Sequence, residues 1–467
     1  MERLTIVSLD GHAQPSPEIW PKYLPKRFHD YLPQLNDEND WYTAIMRGLL
    51  GRSHGDERLK EFDFEDAIKN GGWSGLWDRD VRIAEMDREG IAAEVITSGD
   101  GRVCAMGYEP TNQFYPLDFC QAGVKAYHRW VADEFGNDKD RLFLIGIVGR
   151  APWRNLDEML AEVDWVADQG FIATSFPGHT TYLHEPALFD RYWDPFWAKV
   201  QERGLLLWMH AGHGEQQGEF GREMAKLHRS LKAKGADFDN LVGTVSMDVF
   251  DDGAAFESIK PRRAMWQLMM SGVFDRFPQL KLVVSEIHAD WLPATLALLD
   301  EAYEQHRSAL PAKRKPSEYW SQNCLNGVSF LRNCDLEGRD KFGAHTIGFG
   351  RDYPHTEGTW PNTKQWLREV FDGLPADEVK AIASGNAIKF MGLNGAELAR
   401  IAERIGAPMV EDVTGGIDRP SKNLLSHFNE RGTQFLANSE GISRVSEMNV
   451  QLQEDLWQMG ANIRQMA

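Results

Sequence analysis

The sequence predicts a (β/α)8 barrel, a fold of the α/β class that is also called the TIM barrel. Short apolar runs rich in β-branched residues recur eight times along the 467 residues, and helical segments lie between most of them. Apolar runs of this kind are typical of parallel strands that are covered by helices. Eight right-handed crossovers close most simply into a barrel, although a doubly wound open sheet would show the same alternation.

The predicted strands are separated by intervals long enough to hold a helix. They cover residues 4–9, 92–97, 142–148, 171–176, 205–210, 282–286, 322–326 and 346–350. The clearest helical segments between them cover residues 81–89, 119–134, 156–168, 195–203 and 293–307. The order of elements is therefore β then α throughout, which a barrel of parallel strands requires.

Two insertions and a C-terminal tail extend beyond the barrel, which we place at residues 1–393. Residues 13–80 follow the first strand and residues 211–280 follow the fifth, so we predict that both form lids over the catalytic face. Their aromatic and methionine side chains suit either a bulky apolar substrate or the core of a lid. These are Trp20, Trp41, Trp73, Trp77, Met247, Met265, Trp266, Met269 and Met270. Residues 394–467 are predicted to form a helical extension.

The composition and charge exclude several classes of protein. With 51 Lys and Arg against 70 Asp and Glu, the formal net charge is −19, which repels phosphate backbones and anionic membranes. No apolar segment reaches the roughly 18 residues of a membrane span. The four cysteines are too scattered for a disulfide framework, and we expect them to be reduced and mostly buried. We predict a soluble cytoplasmic enzyme that acts on a small molecule, and a homo-oligomer is compatible with the sequence.

Ionisable residues at the ends of predicted strands are the main functional signal. The first strand is followed by Asp10-Gly11-His12, and in extended backbone residues two apart face the same way. The fifth strand is apolar until it ends at His210. Asp10 and His12 can therefore point together into the mouth of the barrel, near His210.

Two further strands bring carboxylates to the same mouth. The sixth strand ends at Glu286, and the spacing predicts that His288 shares its face; the eighth strand is followed by Asp352. Buried together without a cation, such groups would be strongly destabilising, and a divalent metal would supply the positive charge that they lack. A structural salt-bridge network is the alternative, but Arg351 is the main basic residue beside these motifs.

Six groups of residues together carry a resemblance to a known family. They are Val7-Ser8-Leu9-Asp10-Gly11-His12 with Pro17-Glu18-Ile19-Trp20, Asp194-Pro195-Phe196-Trp197, His210-Ala211-Gly212, Phe277-Pro278-Gln279-Leu280-Lys281-Leu282 with Glu286 and Trp291-Leu292-Pro293, Arg351-Asp352-Tyr353-Pro354-His355 with Gly358-Thr359-Trp360-Pro361, and Gly385-Asn386-Ala387. These motifs resemble the amidohydrolase superfamily, in the branch of aminocarboxymuconate semialdehyde decarboxylase and related aromatic-acid decarboxylases. The resemblance covers residues 4–393 and implies a (β/α)8 barrel with metal ligands at Asp10, His12, His210 and Asp352.

The sequence departs from the pattern of this branch in its ligand-type residues. Asp10 replaces the first histidine of many relatives, as in the sub-branch that begins with Asp-x-His. Glu286 stands where characterised decarboxylases carry a catalytic histidine, and His288 follows it where glycine is usual. His213 and His355 are additional candidate ligands. So many ligand-type residues make a second metal compatible with the sequence.

A site with one divalent metal, Zn, Mn or Fe, supports two chemistries. In hydrolysis of an amide, ester or lactone, Asp352 would accept the proton of a metal-bound water, and Glu286 or His288 would protonate the leaving group. In decarboxylation, the same metal would hold the carboxylate of a small to medium apolar or aromatic substrate. A metal-dependent hydrolase or carboxy-lyase is the favoured prediction.

A site with two metals supports a third chemistry. Glu286 could bridge two ions, and Asp10, His12, His210, His288 and Asp352 would complete their coordination. The resemblance then extends to a nonheme diiron monooxygenase of diterpenoid antibiotic biosynthesis, which would hydroxylate a bulky apolar substrate. A metal-stabilised barrel that only binds ligands is the non-enzymatic alternative.

Overall fold

Parallel strands form one sheet that closes into a barrel. The computed structural model describes residues 2–33, 72–99, 116–150, 153–178, 186–211, 230, 233–234, 259–329, 331–355, 358–415 and 445–466. Within these ranges the strands are β1 (Val7–Ser8), β2 (His12–Ala13), β3 (Ala93–Ser98), β4 (Leu142–Gly146), β5 (Ala173–Ser175), β6 (Leu206–His210), β7 (Leu282–Ser285), β8 (Cys324–Ser329) and β9 (Ile347–Gly350). Their order is β1-β3-β4-β5-β6-β7-β8-β9, with β2 also paired to β3. The predicted (β/α)8 barrel is confirmed.

Contacts between the first and last strands close the barrel. The amide of Leu9 donates a hydrogen bond to the carbonyl of Phe349 at 2.8 Å, and Gly11 pairs with Tyr353 as a parallel bridge. A Cβ atom at Gly348 would lie 2.4 Å from Cδ1 of Leu9. The missing side chain at Gly348 therefore makes room for Leu9 beside the closing strands.

Successive strand residues divide between two buried clusters. Val7, Leu9 and Val95 belong to one cluster, and Ile96 and Met209 belong to the other, which includes most of the helix residues. Because successive side chains of a strand point to opposite faces of the sheet, the first cluster fills the barrel and the second joins the barrel to its helices.

The helices follow the strands in the order that the sequence predicts. They are α1 (Trp20–Tyr23), α2 (Arg79–Glu89), α3 (Leu117–Phe135), α4 (Leu156–Asp168), α5 (Asp194–Glu202), α6 (Ile259–Met270), α7 (Val273–Arg276), α8 (Leu292–His306), α9 (Pro316–Asn323), α10 (Asn333–Glu337), α11 (Arg339–Phe342), α12 (Thr363–Phe371), α13 (Ala376–Lys380), α14 (Asn386–Met391), α15 (Gly395–Arg404), α16 (Val410–Thr414) and α17 (Val445–Met466). The strand at the predicted position 322–326 begins later than expected, because α9 continues to Asn323. Tyr319 and Asn323 are buried one helical turn apart, which keeps this segment helical.

The predicted lids are only partly described. Residues 34–71, 212–229, 231–232 and 235–258 lie outside the described residues, and with them Trp41, His213 and Met247. Residues 259–280 do not form a lid, because α6 packs in the core with Met265 and Trp266 fully buried. The lid prediction for the second insertion is therefore limited to the segment that precedes α6.

The C-terminal extension is helical where it is described. Leu398 and Ile401 of α15 join the cluster that fills the barrel, so this helix covers one of its ends. Helix α17 packs against α6, where the carboxylate of Asp455 accepts hydrogen bonds from Arg263 and from the indole of Trp266, each at 2.7 Å. The prediction of a helical extension is confirmed for these segments.

Three of the four cysteines lie in the described residues. Cys120 and Cys324 are buried, Cys334 is half-buried, and none of the three forms a disulfide. Burial raises the pKa of the Cys334 thiol to about 12, which keeps it protonated. Cys104 lies outside the described residues. In the described part of the chain, no helix combines the length and apolar character that crossing a membrane requires.

Candidate metal centre

The predicted ligands come together where the barrel strands end. Asp10 precedes β2, His12 begins it, His210 is the last residue of β6, Glu286 follows β7 directly, and Asp352 lies two residues after β9. All five side chains are buried, with at most 3% of their surface exposed. The structure thus brings together ionisable groups from four separate parts of the chain.

A first group of ligand atoms surrounds one potential metal position. It consists of Asp10, His12, His210 and Glu286, whose ligand atoms lie within 4.8 Å of one another. Nε2 of His210 is 2.7 Å from Oε2 of Glu286 and 3.3 Å from Oδ1 of Asp10. Nε2 of His12 is 3.5 Å from Oδ1 of Asp10 and 3.6 Å from Oε2 of Glu286. These four contacts form a ring of alternating nitrogen and oxygen atoms, as around one bound ion.

A second group overlaps the first and contains Asp352. It joins His12 and Glu286 to Asp352 and His355, again within 4.8 Å. Oδ1 of Asp352 is 3.0 Å from Nε2 of His12 and 2.9 Å from Nδ1 of His355. The rings of His12 and His355 stack with their centroids 4.0 Å apart. His355, predicted as an additional ligand, therefore lies in the centre.

The backbone turns sharply at the two carboxylates that follow strands. Glu286 has φ 53° and Asp352 has φ 55°, and they are the two non-glycine residues with positive φ in the described ranges. This left-handed conformation costs roughly 1–2 kcal/mol for an L-residue. It ends the extended geometry of β7 and β9 at these residues and directs both carboxylates toward His12.

The carboxylates of the centre raise the pKa values of its two buried imidazoles, those of His12 and His210. Burial alone lowers the pKa of His12, but Asp352, Glu286 and Asp10 raise it well above its usual value. The pKa of His210 is also raised well above its usual value, because Glu286 and Asp10 outweigh its burial. A divalent ion can replace the protons that the carboxylates would otherwise hold on these imidazoles.

Hydrogen bonds to backbone carbonyls fix the orientation of the two imidazoles of the centre. Nδ1 of His12 donates to the carbonyl of Ser98 at 2.9 Å, and Nδ1 of His210 donates to the carbonyl of Ala211 at 3.1 Å, so both Nε2 atoms face the carboxylates. The hydroxyl of Ser329 donates to Asp10. Oδ2 of Asp352 is buried and has no hydrogen-bond partner among the described residues. The donor set and this unpaired oxygen fit a divalent metal.

The structure does not place His288 with the other predicted ligands. Its Nδ1 lies 3.6 Å from Oδ2 of Asp335. The same-face spacing from Glu286 does not apply, because β7 ends before that residue and its backbone has positive φ. Asp335 and Asp290 already pair with Arg332, each at 3.0 Å from its Nη2, so a guanidinium supplies the positive charge there. A role of His288 in catalysis stays a prediction.

Sequence reasoning missed two buried side chains near the centre. Ser329 and Glu94 are buried, and Glu94 accepts hydrogen bonds from Arg82 and Arg351. The sequence could have indicated Glu94, because it is a carboxylate in the middle of the predicted strand at 92–97, which is otherwise largely apolar. Ser329 left no comparable signal, because its partner Asp10 is 319 residues away in sequence.

The sequence matches a known family over most of its length. The family model described as amidohydrolase matches residues 10–393. No curated protein matches the sequence. The family match covers the predicted ligands Asp10, His12, His210 and Asp352, and also Glu286.

Solved structures share the fold. An amidohydrolase from Mycobacterium avium subsp. paratuberculosis K-10 is 20% identical, with a TM-score of 0.55, and the alignment covers 84% of this chain and 99% of that one. A 2,6-dihydroxybenzoate decarboxylase from Rhizobium is 19% identical, with a TM-score of 0.52 over 85% and 100% of the two chains. A 5-carboxyvanillate decarboxylase from Novosphingobium aromaticivorans with bound manganese is 18% identical, with a TM-score of 0.52 over 84% and 97%. These comparisons give no support to the diiron monooxygenase alternative.

Proposed function

Because the chain belongs to the amidohydrolase family, we propose that it is a metal-dependent carboxy-lyase that removes the carboxylate of a small aromatic acid. The predicted class, a metal-dependent hydrolase or carboxy-lyase, is confirmed by the family. The choice of decarboxylation is our proposal. It is supported by the unpaired Oδ2 of Asp352 beside the metal position and by the decarboxylases among the similar structures.

Asp352 is the residue that we propose to move the proton. Its Oδ1 lies between the imidazoles of His12 and His355, 3.0 Å from Nε2 of His12 and 2.9 Å from Nδ1 of His355, so Oδ2 is the oxygen left to face a substrate. Loss of CO2 breaks the bond between the ring carbon and the carboxylate and leaves the electron pair on that carbon. Asp352 must be protonated at this stage, and its Oδ2 would then deliver the proton that the carbon needs; the carboxylate that remains would take a new proton from solvent before the next turnover.

The first group of ligands suits a single divalent ion, and Mn²⁺ is the ion that we propose. Two imidazoles and two carboxylates form a mixed donor set that Mn, Zn and Fe accept. The similar 5-carboxyvanillate decarboxylase contains manganese. When bound, the ion would polarise a carboxylate oxygen of the substrate. Glu286, at 2.7 Å from His210, is then a ligand and not the proton donor that the sequence predicts.

The remaining predictions concern substrate selection, binding partners, cellular location and oligomeric state. We propose that residues 13–80 and the segment before α6 select the substrate, since both follow strands whose ends carry ligands. The proposed partner is a small molecule, without nucleic acid or membrane. A cytoplasmic location and a homo-oligomer stay predictions.

The experiment measures decarboxylation directly. Purified protein loaded with Mn²⁺ is incubated in D2O with a panel of dihydroxybenzoates and 5-carboxyvanillate, and CO2 and the aromatic product are quantified. The expected product carries one deuterium at the carbon that lost the carboxylate, without oxygen uptake. Asp352→Asn should retain the ion and lose CO2 release.

Other outcomes of the same assay would contradict the proposal. Hydrolysis of an ester, amide or lactone panel without CO2 release from any acid would assign the chain to the hydrolases of its family. Substrate-dependent oxygen uptake with iron bound would favour the monooxygenase. Binding of the acids without turnover under any metal would indicate a binding protein.

A further inference from the structure

We infer that Glu94 is a positioning residue of the metal centre. It acts through two buried guanidiniums, those of Arg82 and Arg351, which reach the two chain segments that carry His12 and Asp352. This inference rests on the proposed metal centre and is independent of which reaction the centre catalyses.

Glu94 lies directly against the segment that carries two of the ligands. It is a fully buried residue of β3, and its strand neighbour across the sheet is Ser8 of β1. A Cβ atom at Gly11 would lie 2.6 Å from Cδ of Glu94. The carboxyl group therefore occupies the space that a side chain between Asp10 and His12 would need, which explains why this position is glycine.

Arg82 links Glu94 to the backbone of a metal ligand. Its Nη1 donates to Oε2 of Glu94 at 2.7 Å, and its Nη2 donates to the carbonyl of His12. Its Nε donates to the carbonyl of Gly75 at 2.9 Å, so all three nitrogens are used and the guanidinium is fixed. The orientation of Arg82 thereby sets the position of the His12 peptide.

Arg351 links the same carboxylate to the segment on the other side of the centre. Its Nη2 donates to Oε2 of Glu94 at 2.9 Å, and its Nε donates to Oε1. The backbone amide of Arg351 is held by the hydroxyl of Ser8 at 3.0 Å. The next residue is Asp352, whose left-handed backbone needs a fixed neighbour on either side.

Tyr353 completes this connection. Both guanidiniums face its ring, with Arg82 at 4.1 Å and Arg351 at 4.6 Å from the ring centroid. The carbonyl of Tyr353 accepts the amide of His12 at 2.8 Å. The two ligand segments are therefore joined to each other, and both are joined to Glu94.

The charge of Glu94 is what keeps the two guanidiniums together. Two buried cations repel each other unless an anion lies between them. Burial raises the pKa of Glu94, but Arg351 and Arg82 outweigh burial and hold it below its usual value, so the carboxylate is ionised. Removal of this charge would let the guanidiniums separate and would move the segments of His12 and Asp352.

Glu94→Gln tests the inference, because it keeps the shape and removes the charge. The readouts are the Kd for Mn²⁺ from chelator competition and the Tm of the metal-free and metal-loaded protein. Loss of an outer hydrogen-bond partner of a metal ligand typically weakens metal affinity by about 10- to 100-fold. Glu94 reaches the ligand segments through Arg82 and Arg351, so we expect the lower end of that range, about 10-fold. The metal should correspondingly raise the Tm of Glu94→Gln less than that of the wild type.

The matched control is Glu162→Gln. Glu162 is also a buried carboxylate shared by two basic side chains, His128 at 2.8 Å and Arg129, but it joins α3 to α4. Its loss should lower the Tm of both forms equally and leave the Mn²⁺ affinity unchanged. If Glu94→Gln behaves like this control, the residue is merely structural and the inference is overturned.

A second variant keeps the inference testable if Glu94→Gln does not fold. Arg351→Lys retains the positive charge but cannot bind both carboxylate oxygens, and it should also weaken Mn²⁺ binding. Unchanged affinity in Arg351→Lys would overturn the inference. If the wild type itself binds no divalent metal, the proposed metal centre is wrong, and the inference about Glu94, which rests on it, is wrong as well.

Discussion

Nε2 of His210 lies 2.7 Å from Oε2 of Glu286, and this contact joins the ends of the adjacent strands β6 and β7. Oδ1 of Asp10 lies 3.3 Å from the same nitrogen. The imidazole and the two carboxylates are therefore close enough to bind one cation together. Glu286 is therefore one of the residues that we propose as ligands of that cation. The consequences are open to direct measurement.

His210→Ala should remove the metal and leave the fold intact. The variant loses one of two imidazoles of the first group, and we expect the Mn²⁺ affinity to fall by more than about 100-fold, beyond the effect of losing an outer hydrogen-bond partner. Asp10→Ala, His12→Ala and Asp352→Ala should also lose activity. Elemental analysis and circular dichroism check the prediction. His345→Ala, at an exposed histidine, is the control, and full metal content with unchanged turnover in His210→Ala would refute the assignment.

His355→Ala should slow turnover without removing the metal. Its Nδ1 lies 2.9 Å from Oδ1 of Asp352, which leaves Oδ2 for the substrate, so we expect kcat to fall by about 100-fold. Metal content and kcat are measured on the same preparations. A decrease from two ions to one would instead identify the second group as a metal position and revive the two-metal chemistry. The sequence predicts His288 as a ligand of a two-metal site, but His288 lies beside Asp335.

Asp455→Ala should destabilise the protein by detaching α17 from α6. The carboxylate accepts hydrogen bonds from Arg263 and Trp266, and loss of one partner of a buried ion pair costs about 3 kcal/mol. Urea unfolding gives the free energy of unfolding, and metal content should not change. Glu454→Ala is the control, because Glu454 is more than half exposed and 3.4 Å from the same guanidinium. Equal effects of the two variants would contradict the prediction.

Glu162 should contribute stability that is lost in acid. Burial raises its pKa, but His128 and Arg129 outweigh burial and lower the pKa from 4.5 to about 2. A carboxylate with a lowered folded-state pKa stabilises the fold above its unfolded-state pKa, and this contribution disappears as the pH falls from about 4.5 to about 2. The difference in Tm between the wild type and Glu162→Gln should therefore shrink across that range. A difference that does not depend on pH would refute the prediction.

The sequence determined the architecture and most of the centre. Eight apolar strands alternating with helices predict a barrel, because buried parallel strands need apolar residues on both faces. Asp10, His12, His210, Glu286 and Asp352 were found because an ionisable residue at the end of an apolar strand has no local explanation. These signals are local and can be read without knowing which strands meet.

Only the tertiary structure decided which of these side chains contact one another. The left-handed backbone at Glu286 breaks the two-residue periodicity on which the prediction for His288 depended. Closure of the barrel brings together residues that are more than 300 positions apart in the sequence. It places Asp352 in hydrogen-bond contact with His12 and stacks the ring of His355 on that of His12. Glu94 acquires its role because Arg82 and Arg351 converge on it from two sides of the sheet. Contacts between distant segments depend on packing and strand register, and no local pattern encodes them.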